Sequence, residues 1–266
     1  VSWPEGQPGA FPNHAKELIV CPDAENWKEV VKAPNLIYPD AEWESAIEQF
    51  EAVDRTKQYA TPFVAPGIFE MCHYLMEVSN CLMAFYECPD EMHELIKYIT
   101  EWNLQYSDTL CEKLHPDALL QHDDWGTQIS TFMSPDMFEE FFLEPYKLLY
   151  GRWKENGVEV IVHHSDSYAE TLVPYMIEMG IDVWQGVMRT NDIKGMIEKY
   201  GDKITFMGGV DSATVDFAGW TEENVREKVR AAMDDFGPMH YIPCQSQGMS
   251  ASTFPGVYDC IDAMID

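Results

Sequence analysis

The run Val158-Glu159-Val160-Ile161-Val162 is dense in β-branched residues and stops abruptly in His163-His164-Ser165-Asp166-Ser167-Tyr168. A stretch with so little polar alternation reads as a strand buried on both faces, as strands of parallel sheets are. Polar residues crowded at the carboxyl end of such a strand occupy the position where α/β folds place their chemistry. The run constrains the chain twice: toward a parallel sheet, and toward a site at its strand ends.

The rest of the chain repeats the pattern. Residues 1–40 are rich in proline and glycine, as in Trp3-Pro4-Glu5-Gly6-Gln7-Pro8-Gly9, and read as loop, with a short strand at 18–21 and a capped helix over 23–31. Trp43, Ile47 and Phe50 give helical spacing over 40–56, and 59–64 reads as a strand. Apolar spacing predicts helices over 68–85 and 89–114, the second opened by Pro89-Asp90-Glu91. Strand 118–121 leads into His122-Asp123-Asp124-Trp125-Gly126-Thr127-Gln128, and Ser134 caps a helix that Pro145 kinks or splits. After the histidine strand come a helix to Met179, strand 182–187, helix 193–200 and strand 204–207, followed by Gly208-Gly209-Val210-Asp211. A helix from Thr221 to Phe236 and a strand over 239–243, entering Cys244-Gln245, complete the series.

Strand–helix alternation without hairpin signals predicts an α/β fold with a parallel sheet, and polar strand ends favour a (β/α)8 TIM barrel. No glycine-rich phosphate loop follows any strand. The expected organisation is a single barrel domain over 1–266, with a loop-rich amino-terminal segment (1–57) and barrel elements from 58 to 266. The strands number fewer than eight; the expectation is that an amino-terminal portion is missing, or that the first 40 residues hide a strand.

A formal charge of −29 repels phosphate backbones and anionic lipid, so nucleic-acid and membrane-surface partners are disfavoured. Seven scattered cysteines without a C-x-x-C pair read as reduced thiols of a cytoplasmic protein.

Side chains alternate along an extended segment, so His164 and Asp166 face the same way. With Cys244 they supply imidazole, carboxylate and thiolate, the composition of an open catalytic zinc site. The same residues also fit a hydrogen-bonded His–Asp pair beside a buried, apolar cysteine. Asp123 and Asp124 at a buried strand end call for a cation, donors or a shared proton; one is a candidate general acid or substrate anchor, with Gln128 nearby, and either can instead cap the turn. Asp211, after two glycines, fits a supporting or a turn residue. Trp125, Tyr168, Trp184 and Met188 are candidates to line an apolar pocket, and His163 points away as a structural residue.

Gly67-Ile68-Phe69-Glu70-Met71, His122–Gln128 with Ser134-Pro135-Asp136-Met137-Phe138, His164-Ser165-Asp166-Ser167 and Phe206–Asp211 resemble successive signatures of the uroporphyrinogen decarboxylase superfamily. The resemblance covers nearly everything from residue 60 onward and implies a (β/α)8 barrel with its pocket at the strand carboxyl ends. One branch comprises cofactor-free decarboxylases that hold a tetrapyrrole through an amino-terminal arginine-rich motif and an aspartate; no such arginine motif is visible in this sequence. The other comprises cobalamin-dependent methyltransferases, whose Asp-Asp-x-Gly-Thr-Gln motif is similar to Asp123–Gln128. Many of those hold zinc by H-x-C and a later cysteine; Asp166 stands where the first cysteine is expected, and Cys244 lies near the second. The resemblance thus implies methyl transfer from a small methylated or methoxylated donor to the cobalamin of a corrinoid protein. Its catalytic residues would be Asp123, Asp124 and His164, and its zinc ligands His164, Asp166 and Cys244. Glu70, Trp125, Gln128, Tyr168, Asp211 and Gln245 would contact substrate. A second copy of the chain is a candidate partner, and tetrapyrrole decarboxylation is the competing activity.

Overall fold

The computed structural model describes residues 12, 13, 15–248 and 253–265. The loop reading of 3–9 lies outside the described residues. The chain divides into two compact units, Val1–Asp123 with Met133–Glu159, and Asp124–Phe132 with Val160–Asp266.

The first unit contains α1 (Trp27–Val30), α2 (Asp40–Glu51), β1 (Phe63–Val64), α3 (Ile68–Met76), α4 (Val78–Glu87), α5 (Pro89–Leu114), β2 (Ala118–His122), α6 (Pro135–Phe138) and α7 (Glu144–Glu155). β1 and β2 are parallel, with Phe63 opposite Leu120. Residues 16–18 form a 3-10 turn, and the strand expected at 18–21 is absent. The Asp23 carboxylate starts the next turn by accepting from the Glu25 N–H at 3.0 Å. α5 runs as the sequence predicts: Pro89 fits the first turn, where its missing N–H costs nothing, and His115 ends the helix at φ +47. Pro145 occupies the first turn of α7, and a π-helical turn over Glu139–Leu143 absorbs the change of path from α6. The apolar spacing over 68–85 is a correction: Glu77 sits at φ +72 and splits that stretch into α3 and α4. The Glu77 carboxylate then accepts from the Asn80 N–H, so the break is also a cap. Phe69, Phe85, Phe141 and Phe142 meet edge-on or tilted and join α3, α4 and the π turn; each contributes roughly 1.5–3 kcal/mol by burial.

The second unit contains β3 (Val160–His164), α8 (Val173–Met179), β4 (Val183–Val187), α9 (Ile193–Tyr200), β5 (Thr205–Val210), α10 (Ser212–Val215), α11 (Glu222–Phe236), β6 (Tyr241–Gln245) and α12 (Val257–Asp262). Its strands are parallel in the order β3-β4-β5-β6, with His164 opposite Gln185 and Gly209 opposite Cys244. Ile161 and His163 are sealed from solvent while Val160, Val162 and His164 are half-buried, so neither face of β3 is open. The β4–β5 register shifts between Gln185 and Val187, a bulge placed at Gly186. Gly208 and Gly209 belong to β5 itself and not to the loop after it. Gly209 has φ +73, and a Cβ there would lie 2.6 Å from the Tyr241 hydroxyl, which donates to the Gly208 carbonyl. Among the described residues, six strands of the (β/α)-barrel type are present, parallel to their neighbours within each unit, and β2 to β6 carry polar residues at the carboxyl end or just beyond. No described helix is long and apolar enough to cross a membrane. All seven cysteines are free thiols.

Candidate active site

In the first unit β2 delivers His122 and Asp123 beside the start of α3. The Asp123 carboxylate accepts from the Phe69 and Glu70 N–H groups, both at 2.9 Å, and from the Tyr146 hydroxyl. Tyr146 in turn accepts from the Ile68 N–H at 3.0 Å. Amides with no partner inside the helix are thereby satisfied by one carboxyl group placed at the start of α3. Asp123 is wholly buried. Burial and then the neighbouring Glu70 carboxylate raise its pKa well above the ordinary value, while the Glu70 and Phe69 amides and His122 oppose them. Glu70 is itself 2% exposed and meets His122 Nδ1 at 2.9 Å through Oε2. The sequence expectation of Asp123 as an acid and Glu70 as a substrate contact thus falls on two residues knit into the α3 terminus.

In the second unit the segment after Asp123 folds back on itself, with Gly126 bridged to Thr131. A Cβ on Gly126 would lie 2.5 Å from the Ser130 carbonyl oxygen, so the fold-back needs glycine. The segment is sewn to the residues following β3. The Trp125 N–H donates to Ser165 Oγ, the Ser167 hydroxyl to the Gly126 carbonyl, and the Tyr168 N–H to the Thr127 carbonyl. The Asp166 N–H donates to Asp124 Oδ1 at 3.0 Å. Asn191 holds the same loop from the other side, accepting from the Ala169 and Glu170 N–H groups and donating to the Ser167 and Met188 carbonyls. His163 points into the core and stacks on Trp125 with ring centroids 3.9 Å apart.

His164 is half-buried, with Nδ1 against Gln185 Oε1. Gln185 Nε2 reaches Cys244 Sγ at 3.7 Å. Burial pushes the Cys244 thiol up to about 11, Gln185 opposing and Asp262 adding to the shift. Asp124 and His164, both in this unit, each offer a ligand atom of metal-binding type, within 4.8 Å of one another. His164, Asp166 and Cys244 form no such group among the described residues. Asp166 contributes a backbone N–H to Asp124, and Cys244 lies against an amide.

The other expected contacts are spread out. Trp125 is fully buried, Gln128 is exposed on the fold-back, and the Tyr168 hydroxyl donates to Glu170 Oε1 at 2.7 Å. The Glu170 bond raises the Tyr168 pKa. Asp211 is exposed and accepts from the Ala213 N–H, the turn reading of that residue. Gln245 is 1% exposed, and neither of its amide atoms has a hydrogen-bond partner. Gln185, Tyr146 and Asn191 were not singled out by the sequence, because each lies inside an apolar or loop segment whose pattern speaks only for structure.

The profile of uroporphyrinogen decarboxylase (URO-D) matches residues 27–260, which is most of the chain. The chain belongs to the uroporphyrinogen decarboxylase family. A methyltransferase from Methanosarcina mazei has a similar structure, with a TM-score of 0.65 and 16% identity over 84% of this chain. This chain spans 64% of that protein's length, and at such identity the likeness shows the fold. A search of the curated proteins matched none.

Proposed function

We propose that this family member is a methyltransferase that moves a methyl group from a small methylated or methoxylated compound to the cobalt of a corrinoid protein. The observation that carries the reading is the convergence of Asp124 and His164, whose ligand atoms lie within 4.8 Å of one another. An imidazole nitrogen and a carboxylate oxygen suit a borderline cation such as zinc better than calcium or magnesium. Zinc, when bound, would act as a Lewis acid that eases departure of the donor's oxygen. The chain's own residues supply the frame. In the second unit the Asp166 N–H holds Asp124; in the first, Glu70 meets His122 and Asp123 caps α3.

The tetrapyrrole alternative asks for cations at the strand ends, to meet several substrate carboxylates. The net charge of −29 counts against that substrate. In the methyl transfer the carbon–oxygen bond breaks, the methyl group goes to Co(I) to give methyl-Co(III), and the departing oxygen takes up a proton.

The test is anaerobic incubation of the protein with cob(I)alamin and a panel of aromatic methyl ethers, methylamines and methylthiols. Formation of methylcobalamin in the visible spectrum supports the proposal. Carbon dioxide release from uroporphyrinogen, without methylcobalamin from any donor, overturns it.

A further inference from the structure

The half of the site built on β3, β4 and β6 is arranged to hold one imidazole in one state. His164 lies opposite Gln185 across the β3–β4 ladder, and the backbone is tied beneath it, the Ser165 N–H donating to the Gln185 carbonyl at 3.0 Å. The β4 bulge puts Gly186 against the ring. A Cβ on Gly186 would sit 3.0 Å from His164 Cε1 and 3.1 Å from Nδ1, and φ +89 disfavours any other residue there. Gln185 turns Oε1 to the imidazole and Nε2 to the Cys244 sulfur.

The geometry points to Gln185 as the residue that positions His164, with Cys244 orienting the Gln185 amide and taking no part in metal ligation. An amide oxygen can only accept, so Nδ1 carries the proton, and in the neutral ring Nε2 is the nitrogen that holds the lone pair. A reversed amide would turn an N–H toward Nδ1 and drive the proton to Nε2, the useless tautomer. Cys244 works against that reversal by offering a sulfur acceptor to Nε2 of Gln185. A ligating histidine with its other nitrogen fixed by a neighbour is the common arrangement in metal sites. An amide serving as that neighbour, itself oriented by a thiol, assigns a new role to the cysteine expected to bind zinc. The inference rests on the reading of His164 as a ligand, but its main test does not require metal.

The decisive measurement is the 15N spectrum of the histidine side chains in metal-free protein, with His164 assigned by its loss in His164→Asn. The expected result is protonated Nδ1 and unprotonated Nε2 in the wild type, kept in Gln185→Glu and mixed in Gln185→Leu. A wild-type His164 protonated at Nε2 overturns the inference. The second measurement uses cobalt(II) as probe. Gln185→Leu should weaken its binding about 10–100-fold, while Cys244→Ser stays much nearer the wild type. A thiolate-to-cobalt charge-transfer band that disappears in Cys244→Ser makes Cys244 a ligand and also overturns it. If the expected tautomer is found but cobalt does not bind, the metal part of the proposed function fails and the role of Gln185 stands.

Discussion

Gly67 and Asp123 leave no room between them: a Cβ on Gly67 would lie 2.3 Å from Asp123 Cβ and 2.4 Å from its carboxyl carbon. The close approach lets the carboxylate reach two amides of α3 at once. Gly67→Ala must therefore push Asp123 off those amides. Overpacking and loss of buried hydrogen bonds together should cost about 3 kcal/mol, read by urea denaturation. In Gly67→Ala/Asp123→Ala the collision is gone, so the two losses should add to clearly less than their sum. Full additivity would refute the contact.

Asp123 also sets a pH dependence with a definite sign. Burial raises its folded-state pKa above the ordinary 3.8, so the folded protein keeps a proton that the unfolded chain gives up. The group's contribution is complete below 3.8 and is lost as pH rises through the raised folded value. Asp123→Asn, which cannot titrate, should flatten that part of the curve of stability against pH. Parallel curves for wild type and variant from pH 4 upward would exclude the shift.

How far this arrangement could be read from the residues depends on where the partners lie. α5 was legible end to end because Pro89 and the apolar spacing are local signals. The break at Glu77 was not, since neither glycine nor proline marks a position that tertiary packing holds at φ +72. The strand-end histidine and the aspartate pair were legible as a polar crowd. Their roles were not: Asp123 finds its amides more than fifty residues away, at Phe69 and Glu70. Gln185 sits mid-strand between Trp184 and Gly186, where only the fold supplies its neighbour.

Cys244 should be chemically quiet in the metal-free protein. A thiol moved from 9.0 to about 11 has its thiolate population at pH 8 reduced about a hundredfold. Iodoacetamide labelling followed by peptide mass spectrometry should find Cys244 modified at least that much more slowly than in denatured chain. Labelling at the denatured rate under native conditions would contradict its burial against Gln185.

The Glu70–His122 contact separates orientation from charge. Glu70 is buried with Asp123 as a near neighbour, and its carboxylate is the second cause that raises the Asp123 pKa. Glu70→Gln retains an oxygen for His122 Nδ1 but removes a repelling anion, which lowers the Asp123 pKa toward 3.8, so the fall in stability with rising pH must shrink. Glu70→Ala removes the same charge and also the acceptor, leaving His122 without that partner. It should match Glu70→Gln in its pH curve yet leave the His122 ring in mixed tautomers, read from its side-chain 15N signals. The same His122 tautomer in the two variants would show that Glu70 acts through its charge alone.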